Sequence, residues 1–166
     1  MTTEDSAFAN AAEGQTPDAF HLMKAVRRSR PHVLIVDDHP ACRAICTAFC
    51  ELFDFSSETV NDGTEAIDAV THQRFDVILM DIHMPGMGGI EAAQAIRALN
   101  GPAAQTPIIA VSTAVDPEAE AHYRANGLYA VVGKPITASR LFAAMNQALS
   151  ASAPEPRSWA PQRHAP

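Results

Sequence analysis

Five short runs of strand-forming residues alternate with segments of helical spacing between residues 31 and 150, and this alternation restricts the fold more than any other feature. In chain order the runs are HVLIVD, SSETV, DVILMD, PIIAVST and YAVVGK. Strands that are joined by helices run parallel, because each helix returns the chain to the starting edge of the sheet. The pattern therefore predicts an α/β fold with a five-stranded parallel sheet and helices on both of its faces.

Segments with helical spacing lie between these runs and after the last one. The predicted helices cover residues 40–53, 64–71, 89–99, 117–126 and 139–149. In the first of them, apolar residues recur three or four positions apart at Ala41, Ile45, Ala48, Phe49 and Leu52. We expect these five side chains to form the helix face that packs on the sheet.

The strand runs differ in polarity, and this difference predicts their places in the sheet. The first, third and fourth runs are continuously apolar, as parallel strands with both faces covered are. The second run, SSETV, is polar and is expected at an edge of the sheet.

Cys42, Cys46 and Cys50 lie on one stripe of the first predicted helix. An odd number of cysteines in a short window is typical of reduced thiols rather than of a disulfide framework. We interpret them as small, partly buried residues. A metal site that combines them with His39 is the alternative, although its geometry would be unusual for zinc.

The two ends of the chain lack the alternating pattern. Residues 1–30 are expected to be partly disordered with one short helix, and residues 151–166 to be a tail rich in proline and alanine rather than an output domain. Residues 31–150 form the predicted domain. With 47% hydrophobic residues, a chain of 166 residues has enough apolar side chains for its core.

The net charge of -7 bears on the choice of partners. Binding to phosphate backbones needs clustered lysine and arginine, and the one basic cluster, residues 24–30, precedes the predicted domain. A nucleic-acid partner is therefore not expected. No apolar run is long enough to span a bilayer, and the first ten residues lack a signal-peptide core, so we expect a cytoplasmic protein without membrane attachment.

Polar and charged residues stand at the ends of the predicted strands. Asp37 and Asp38 end the first strand, and Asp81 ends the third. Ser112, next to Thr113, ends the fourth strand, and Lys134 ends the fifth. Because ligands of open parallel sheets bind beyond the carboxyl ends of the strands, we expect these side chains to share one crevice.

Three carboxylates in one crevice repel one another. Two unit charges about 4 Å apart repel by roughly 4 kcal/mol at an effective dielectric constant near 20. A hard divalent cation relieves this repulsion, and Mg²⁺ is the usual choice where a phosphoryl group also enters. Together with Lys134, Mg²⁺ would cancel the charge of the three acids.

The motifs VDD, LMDIHMP and GKPI, with the serine at the end of the fourth strand, resemble in their order and separation the receiver domain of two-component response regulators. The resemblance covers residues 31–150. It implies a doubly wound, flavodoxin-like fold with strand order 2-1-3-4-5. It also implies a phosphoprotein of a phosphorelay, here a stand-alone receiver, which is a signalling domain rather than an enzyme.

The resemblance also assigns roles to residues of the crevice. Asp81 matches the phosphoacceptor, which takes a phosphoryl group from a phosphohistidine. Asp38 would bind Mg²⁺ directly together with Asp81 and the backbone carbonyl of His83, and Asp37 would act mostly through a metal-bound water.

The roles of the remaining crevice residues follow from the same resemblance. Lys134 would hold a phosphoryl oxygen, and Pro135 matches the family's cis-proline. Ser112 matches the switch hydroxyl, because its separation from Lys134 fits better than that of Thr113.

The chain departs from the family at the fifth strand. The family often has tyrosine or phenylalanine three residues before the lysine, where it is coupled to the switch hydroxyl. Here that position is Val131. Tyr129 is expected on the same face of the strand, one step further away.

The expected partners are a histidine kinase, a histidine phosphotransfer protein, or both. In similar receivers such partners dock on the first helix, here near Cys42 and Ile45, and on the loop after Pro135. One alternative is the receiver segment of a hybrid histidine kinase. Another is a metal-dependent phosphatase with Asp81 as nucleophile, which would need a second acid–base group and a substrate cap. The sequence does not predict an oligomeric state.

Overall fold

The strands of the computed structural model, which describes residues 30–152, form one parallel sheet. They are β1 (His32–Val36), β2 (Ser56–Val60), β3 (Val77–Asp81), β4 (Ile108–Ser112) and β5 (Ala130–Gly133). Their order in the sheet is β2-β1-β3-β4-β5, and every neighbouring pair is parallel. The predicted fold class and strand order are confirmed, and the polar strand β2 lies at an edge as expected.

Five α-helices connect and follow the strands in the described part of the chain. They are α1 (Pro40–Leu52), α2 (Gly63–His72), α3 (Gly89–Arg97), α4 (Pro117–Ala125) and α5 (Ala138–Ser152). Two of them begin at aspartate caps: Asp62 accepts a hydrogen bond from the Glu65 N–H, and Asp116 accepts one from the Ala119 N–H. Helix α5 continues two residues past the expected domain end at Ser150. The predicted helix near residue 20 and the tail from residue 153 lie outside the described residues.

The sheet separates two apolar cores. On one face, alternate residues of β1, β3, β4 and β5 pack against α2, α3 and α4. On the other face, the intervening strand residues pack against α1 and α5. Because both faces are covered, β1, β3 and β4 are buried along almost their whole length.

The predicted inner face of α1 is wrong. Ile45 is 47% exposed and Leu52 is 71% exposed, whereas Cys46 and Cys50 are buried against the sheet. Ala41 and Ala48 are also exposed, and of the five expected residues Phe49 is the one that packs on this core. The small cysteine side chains let the helix lie close to the strands, and the larger aliphatic residues are therefore rotated towards solvent.

The interpretation of the cysteines as reduced, partly buried residues agrees with this packing. All three are free thiols, with Cys42 half-buried and the other two buried. Burial, with smaller contributions from nearby thiols and acids, raises the pKa of Cys46 to about 12 and that of Cys50 to about 11. These thiols are therefore protonated, and poor metal ligands, near neutral pH.

Candidate functional site

Strands β1 and β3 bring two of the predicted acids together. The strands pair in parallel register up to Val36 beside Met80, so that Asp37 and Asp81 follow at the same edge. Their side chains are 4% and 6% exposed, whereas Asp38 is exposed. Oxygen atoms of all three carboxylates lie within 4.8 Å of one another.

Backbone N–H groups hold the two buried carboxylates in place. Asp37 Oδ1 accepts a hydrogen bond from the His39 N–H at 2.8 Å, and Asp81 Oδ1 accepts one from the His83 N–H at 3.3 Å. In both cases the donor lies two residues further along the chain. Each carboxylate thus has a fixed orientation, with its second oxygen directed elsewhere.

Lys134 bridges these second oxygens. Its Nζ lies 3.2 Å from Asp37 Oδ2 and 3.1 Å from Asp81 Oδ2. Its backbone N–H donates to the Ser112 carbonyl at 2.8 Å, which ties the end of β5 to the end of β4. The Lys134–Pro135 peptide bond is cis, as the resemblance implied.

The charge of Lys134 is stabilised by the acids that it contacts. Partial burial is the largest single influence and lowers its pKa, but the hydrogen bonds and charges of Asp81 and Asp37 together outweigh burial. The net result is a pKa above the ordinary value for lysine. Near neutral pH the site therefore contains a fixed ammonium group between two buried carboxylates.

The start of α3 packs tightly against the backbone of Asp81. A Cβ atom at Gly89 would lie 2.1 Å from the Asp81 carbonyl oxygen, so a larger residue has no room there. The Gly89 N–H also donates to the Ile82 carbonyl at 3.1 Å. Gly89, the first residue of α3, thus permits the close approach of this helix to the backbone of Asp81.

The three carboxylates suit Mg²⁺ as a resident ion. Mg²⁺ prefers oxygen ligands at about 2.0–2.1 Å, so that opposite ligand atoms lie about 4.2 Å apart. The ligand oxygens of the three carboxylates all lie within 4.8 Å of one another, which is near enough for them to share one ion. Among residues 30–152, this is the one cluster of three or more histidine, cysteine or acidic side chains that is close enough to hold a metal ion. The imidazoles of His39 and His83 are not part of it, so the site has no nitrogen ligand of the kind that transition metals favour.

The structure directs the Ser112 hydroxyl away from the acids. Ser112 is fully buried, and its Oγ accepts a hydrogen bond from the Ala114 N–H at 3.1 Å. The same oxygen lies 3.0 Å from the hydroxyl oxygen of Tyr123, a buried residue of α4. Thr113, the competing residue, is exposed.

Tyr123 is a residue that the sequence reasoning missed. Helix α4 contains two aromatic rings. Tyr123 is buried and faces the sheet, whereas its neighbour His122 is exposed. The large apolar residue of a weakly amphipathic helix is the one expected to enter the core. That signal was present in the sequence.

The expectation that Tyr129 shares a face with Val131 is wrong. Val131 packs in the core beside α2, α3 and α4, whereas Tyr129 packs in the core beside α1 and α5. The Tyr129 hydroxyl donates to the Gln147 carbonyl at 3.4 Å. Tyr129 precedes the first residue of β5, so the alternation of a strand does not extend to it.

Fold and site together define a flavodoxin-like α/β protein with a charged crevice at the carboxyl ends of its strands. A family model described as the response regulator receiver domain matches residues 33–146. The chain therefore belongs to the response regulator receiver family, whose members are signalling domains of two-component systems.

Relatives with known roles are longer than this chain. It is 35% identical over 118 residues to the transcription factor SKN7 of Candida albicans, which covers 71% of this chain and 21% of that protein. It is 37% identical over 109 residues to the autoinducer 2 sensor kinase/phosphatase LuxQ of Vibrio vulnificus, which covers 66% of this chain and 12% of that protein. The match in both proteins is therefore a segment of a larger molecule.

Solved structures of receivers have the same fold. The chemotaxis response regulator CheY4 of Vibrio cholerae is 30% identical with a TM-score of 0.68, over 73% of this chain and 100% of that chain. The receiver domain of the sensor histidine kinase PA1611 of Pseudomonas aeruginosa, with a magnesium ion coordinated in its active site cleft, is 24% identical with a TM-score of 0.67. That likeness covers 74% of this chain and 99% of that chain. Within residues 30–152, none of the helices has the length and apolar character needed to cross a membrane.

Proposed function

We propose that the chain accepts a phosphoryl group from a phosphohistidine onto Asp81, with Mg²⁺, and transmits the modification through protein contacts. The observation that carries the proposal is the pair of buried carboxylates, Asp37 and Asp81, joined by Lys134 and within metal-binding distance of Asp38. A structural ion pair needs one acid for one base. Three acids around one lysine leave negative charge that a cation would neutralise.

The proposed reaction transfers the phosphoryl group between two side chains. An oxygen of the Asp81 carboxylate attacks the phosphorus in line, the P–N bond breaks with its electron pair returning to the imidazole, and an acyl phosphate forms. Mg²⁺, when bound, supplies positive charge to the phosphoryl oxygens.

The protein's own groups prepare this step. Lys134 already contacts the Asp81 carboxylate, so its ammonium group can bind an oxygen of a phosphoryl group on Asp81. The His83 N–H fixes the Asp81 carboxylate before attack. We assign Asp38, Asp81 and the backbone carbonyl of His83 as metal ligands, with Asp37 acting through water.

The exposed apolar side of α1 is the surface that we propose for the phosphohistidine protein. Ile45 and Leu52 stand out from this helix beside the exposed Ala41 and Ala48. The helix starts three residues after Asp37, so a partner bound there would reach the crevice. A histidine kinase or a histidine phosphotransfer protein is the class of partner that carries the donor. We place the reaction in the cytoplasm, where free thiols such as those of this chain persist.

The same chemistry inside a hybrid histidine kinase is the second candidate. It is favoured by relatives such as LuxQ and the sensor histidine kinase AruS of Pseudomonas aeruginosa, in which the matching segment is 12% and 13% of the protein. The crevice would then act on a histidine of the same chain.

Phosphorylation of Asp81 is tested by intact-mass measurement after incubation with acetyl phosphate and Mg²⁺. The unaltered protein should gain one phosphoryl group, and Asp81→Asn should gain none. Asp68→Asn is the matched control, since it makes the same change of charge on the exposed face of α2 and should label as the unaltered protein does.

Two outcomes would contradict the proposal. A phosphoryl group gained by folded Asp81→Asn would move the acceptor to another residue. Continuous release of phosphate from a phosphomonoester substrate would instead favour the phosphatase alternative.

A further inference from the structure

The hydroxyl groups of Ser112 and Tyr123 form a buried pair that connects the end of β4 to the last turn of α4. The two oxygens are 3.0 Å apart, and both residues are buried. The proposed function assigns no role to Tyr123. A hydroxyl that is shielded from water needs a partner, so separating the pair costs free energy unless each group finds another.

Ser112 and Asp81 lie on opposite faces of the sheet. Ser112 continues the alternation of Ile108 and Ala110, which face the core beside α2, α3 and α4. Asp81 continues the alternation of Val77 and Leu79, which face the opposite core. The neighbouring strand ends therefore direct the Ser112 hydroxyl and the Asp81 carboxylate to opposite sides of the sheet.

Ser112 and Asp81 are nevertheless close to each other along their neighbouring strands. Asp81 pairs with Val111, the residue directly before Ser112. Rotation of the serine side chain and a small shift of the backbone after β4 would bring its hydroxyl towards a phosphoryl group on Asp81. That rotation would break the contact with Tyr123 and the hydrogen bond from the Ala114 N–H.

We propose that Tyr123 is a positioning residue that holds the Ser112 hydroxyl away from the crevice in the unphosphorylated protein, so that helix α4 responds when Asp81 is modified. The inference rests on the proposed function, because it needs a phosphoryl group to draw Ser112 away. Release of Ser112 leaves the Tyr123 hydroxyl without this buried partner, and α4 must adjust to satisfy it.

The residue at the third position before Lys134 indicates that a change at Asp81 would be transmitted through α4 rather than through β5. Val131 has no hydroxyl and packs in the same core as Tyr123. Tyr129 lies on the other side of the sheet with its hydroxyl on Gln147. Of the two tyrosines in the chain, Tyr123 is thus the one in contact with Ser112.

The first test measures the affinity for beryllofluoride, a phosphoryl mimic, by calorimetry in saturating Mg²⁺. Tyr123→Phe keeps the ring but removes the hydroxyl that competes for Ser112, so it should bind about threefold to tenfold more tightly than the unaltered protein. Tyr129→Phe is the matched control and should bind as the unaltered protein does. Equal or weaker binding by folded Tyr123→Phe would overturn the role of Tyr123.

The second test observes Tyr123 itself by fluorine NMR. In Tyr129→Phe protein labelled with 3-fluorotyrosine, Tyr123 gives the single tyrosine resonance, because the chain has 2 tyrosines. This resonance should shift when Mg²⁺ and beryllofluoride are added. In the Ser112→Ala background its position should already differ without ligand, and ligand should move it much less.

The two tests separate the inference from the proposed function. If the protein gains a phosphoryl group at Asp81 but the Tyr123 resonance does not respond, the inference alone is overturned. If the protein neither gains a phosphoryl group nor binds beryllofluoride, the proposed function fails and the inference fails with it.

Discussion

The two ends of the sheet differ in what they offer to a ligand. At the amino ends of β3 and β4 lies an open cleft of about 570 Å³, lined in part by Gln73, Arg74, Asn100 and Gln105. At the carboxyl ends, three carboxylates and a lysine converge around Asp81. The amino end has the open cleft, whereas the carboxyl end has the cluster of charged side chains that includes two buried carboxylates. The grouping of charges, not the volume of a cleft, therefore identifies the candidate site.

The physical reason is the cost of burying ionised groups. The four polar residues named in the cleft are exposed, so water solvates them. Asp37 and Asp81 are buried, and a buried carboxylate is costly unless hydrogen bonds and opposite charges compensate. Clustered charges that are buried in this way are typical of functional sites.

A half-buried charge at the amino end has a structural role instead. The guanidinium of Arg97 donates hydrogen bonds to the carbonyls of Gly127, Ala104 and Thr106 at 2.9, 3.0 and 2.8 Å. It joins the end of α3 to the segments that precede β4 and β5. Burial lowers its pKa, but arginine remains charged at every relevant pH.

The largest effect on stability is therefore expected at the amino end. Arg97→Met leaves three carbonyls without their charged donor, which should cost at least about 2 kcal/mol and lower the melting temperature by about 4–8 °C. Phosphoryl labelling of the folded protein should be unchanged. The melting temperature of Arg97→Lys should lie between those of the unaltered protein and Arg97→Met, since an ammonium group cannot reproduce the planar set of donors. A loss of labelling in folded Arg97→Met would contradict the assignment of a purely structural role to Arg97.

A smaller effect on stability, but one that depends on metal, is expected at the carboxyl end. At about ten times its dissociation constant, Mg²⁺ should stabilise the folded protein by roughly 1.4 kcal/mol, which raises the melting temperature by about 3–6 °C. Asp38→Ala should remove most of this rise, because Asp38 is assigned as a direct ligand. Without metal it should melt no lower than the unaltered protein, since one repelling charge is gone.

Controls for the metal effect use the same thermal measurement. Ca²⁺ should replace Mg²⁺ in part, because it is also a hard ion that prefers oxygen ligands. NaCl at matched ionic strength should not, and Asp68→Asn should respond to Mg²⁺ as the unaltered protein does. A full response in Asp38→Ala, or an equal response to NaCl, would remove the metal site from the mechanism.

The sequence predicted the carboxyl end of the sheet more completely than the helices around it. Strand ends are set by short apolar runs, and parallel strands bring their carboxyl ends to one edge, so Asp37, Asp81 and Lys134 could be placed together without coordinates. The structure adds the distances between these three side chains, with Lys134 Nζ 3.2 Å from Asp37 and 3.1 Å from Asp81.

The rotation of helices could not be predicted in the same way. On α1 the apolar residues and the cysteines form adjacent stripes, and the closeness of packing on β1 and β3 decides which stripe is buried. The partners of Ser112 and Arg97 depend on such rotations as well. Tyr123 and the carbonyls around Arg97 are brought close by tertiary packing, which the spacing of residues in the sequence does not specify.

The smallest effect is expected in the cleft itself. Gln105 is exposed there, and an exposed substitution away from caps, ion pairs and core residues changes stability by less than about 0.5 kcal/mol. Gln105→Ala should therefore shift the melting temperature by at most about 2 °C, with the rise on adding Mg²⁺ and the rate of labelling by acetyl phosphate unchanged. Arg97→Met in the same assays shows that they detect damage at this end of the sheet. A labelling rate that changes severalfold in Gln105→Ala would mean that the cleft communicates with Asp81 across the sheet, and the two ends could no longer be treated as independent.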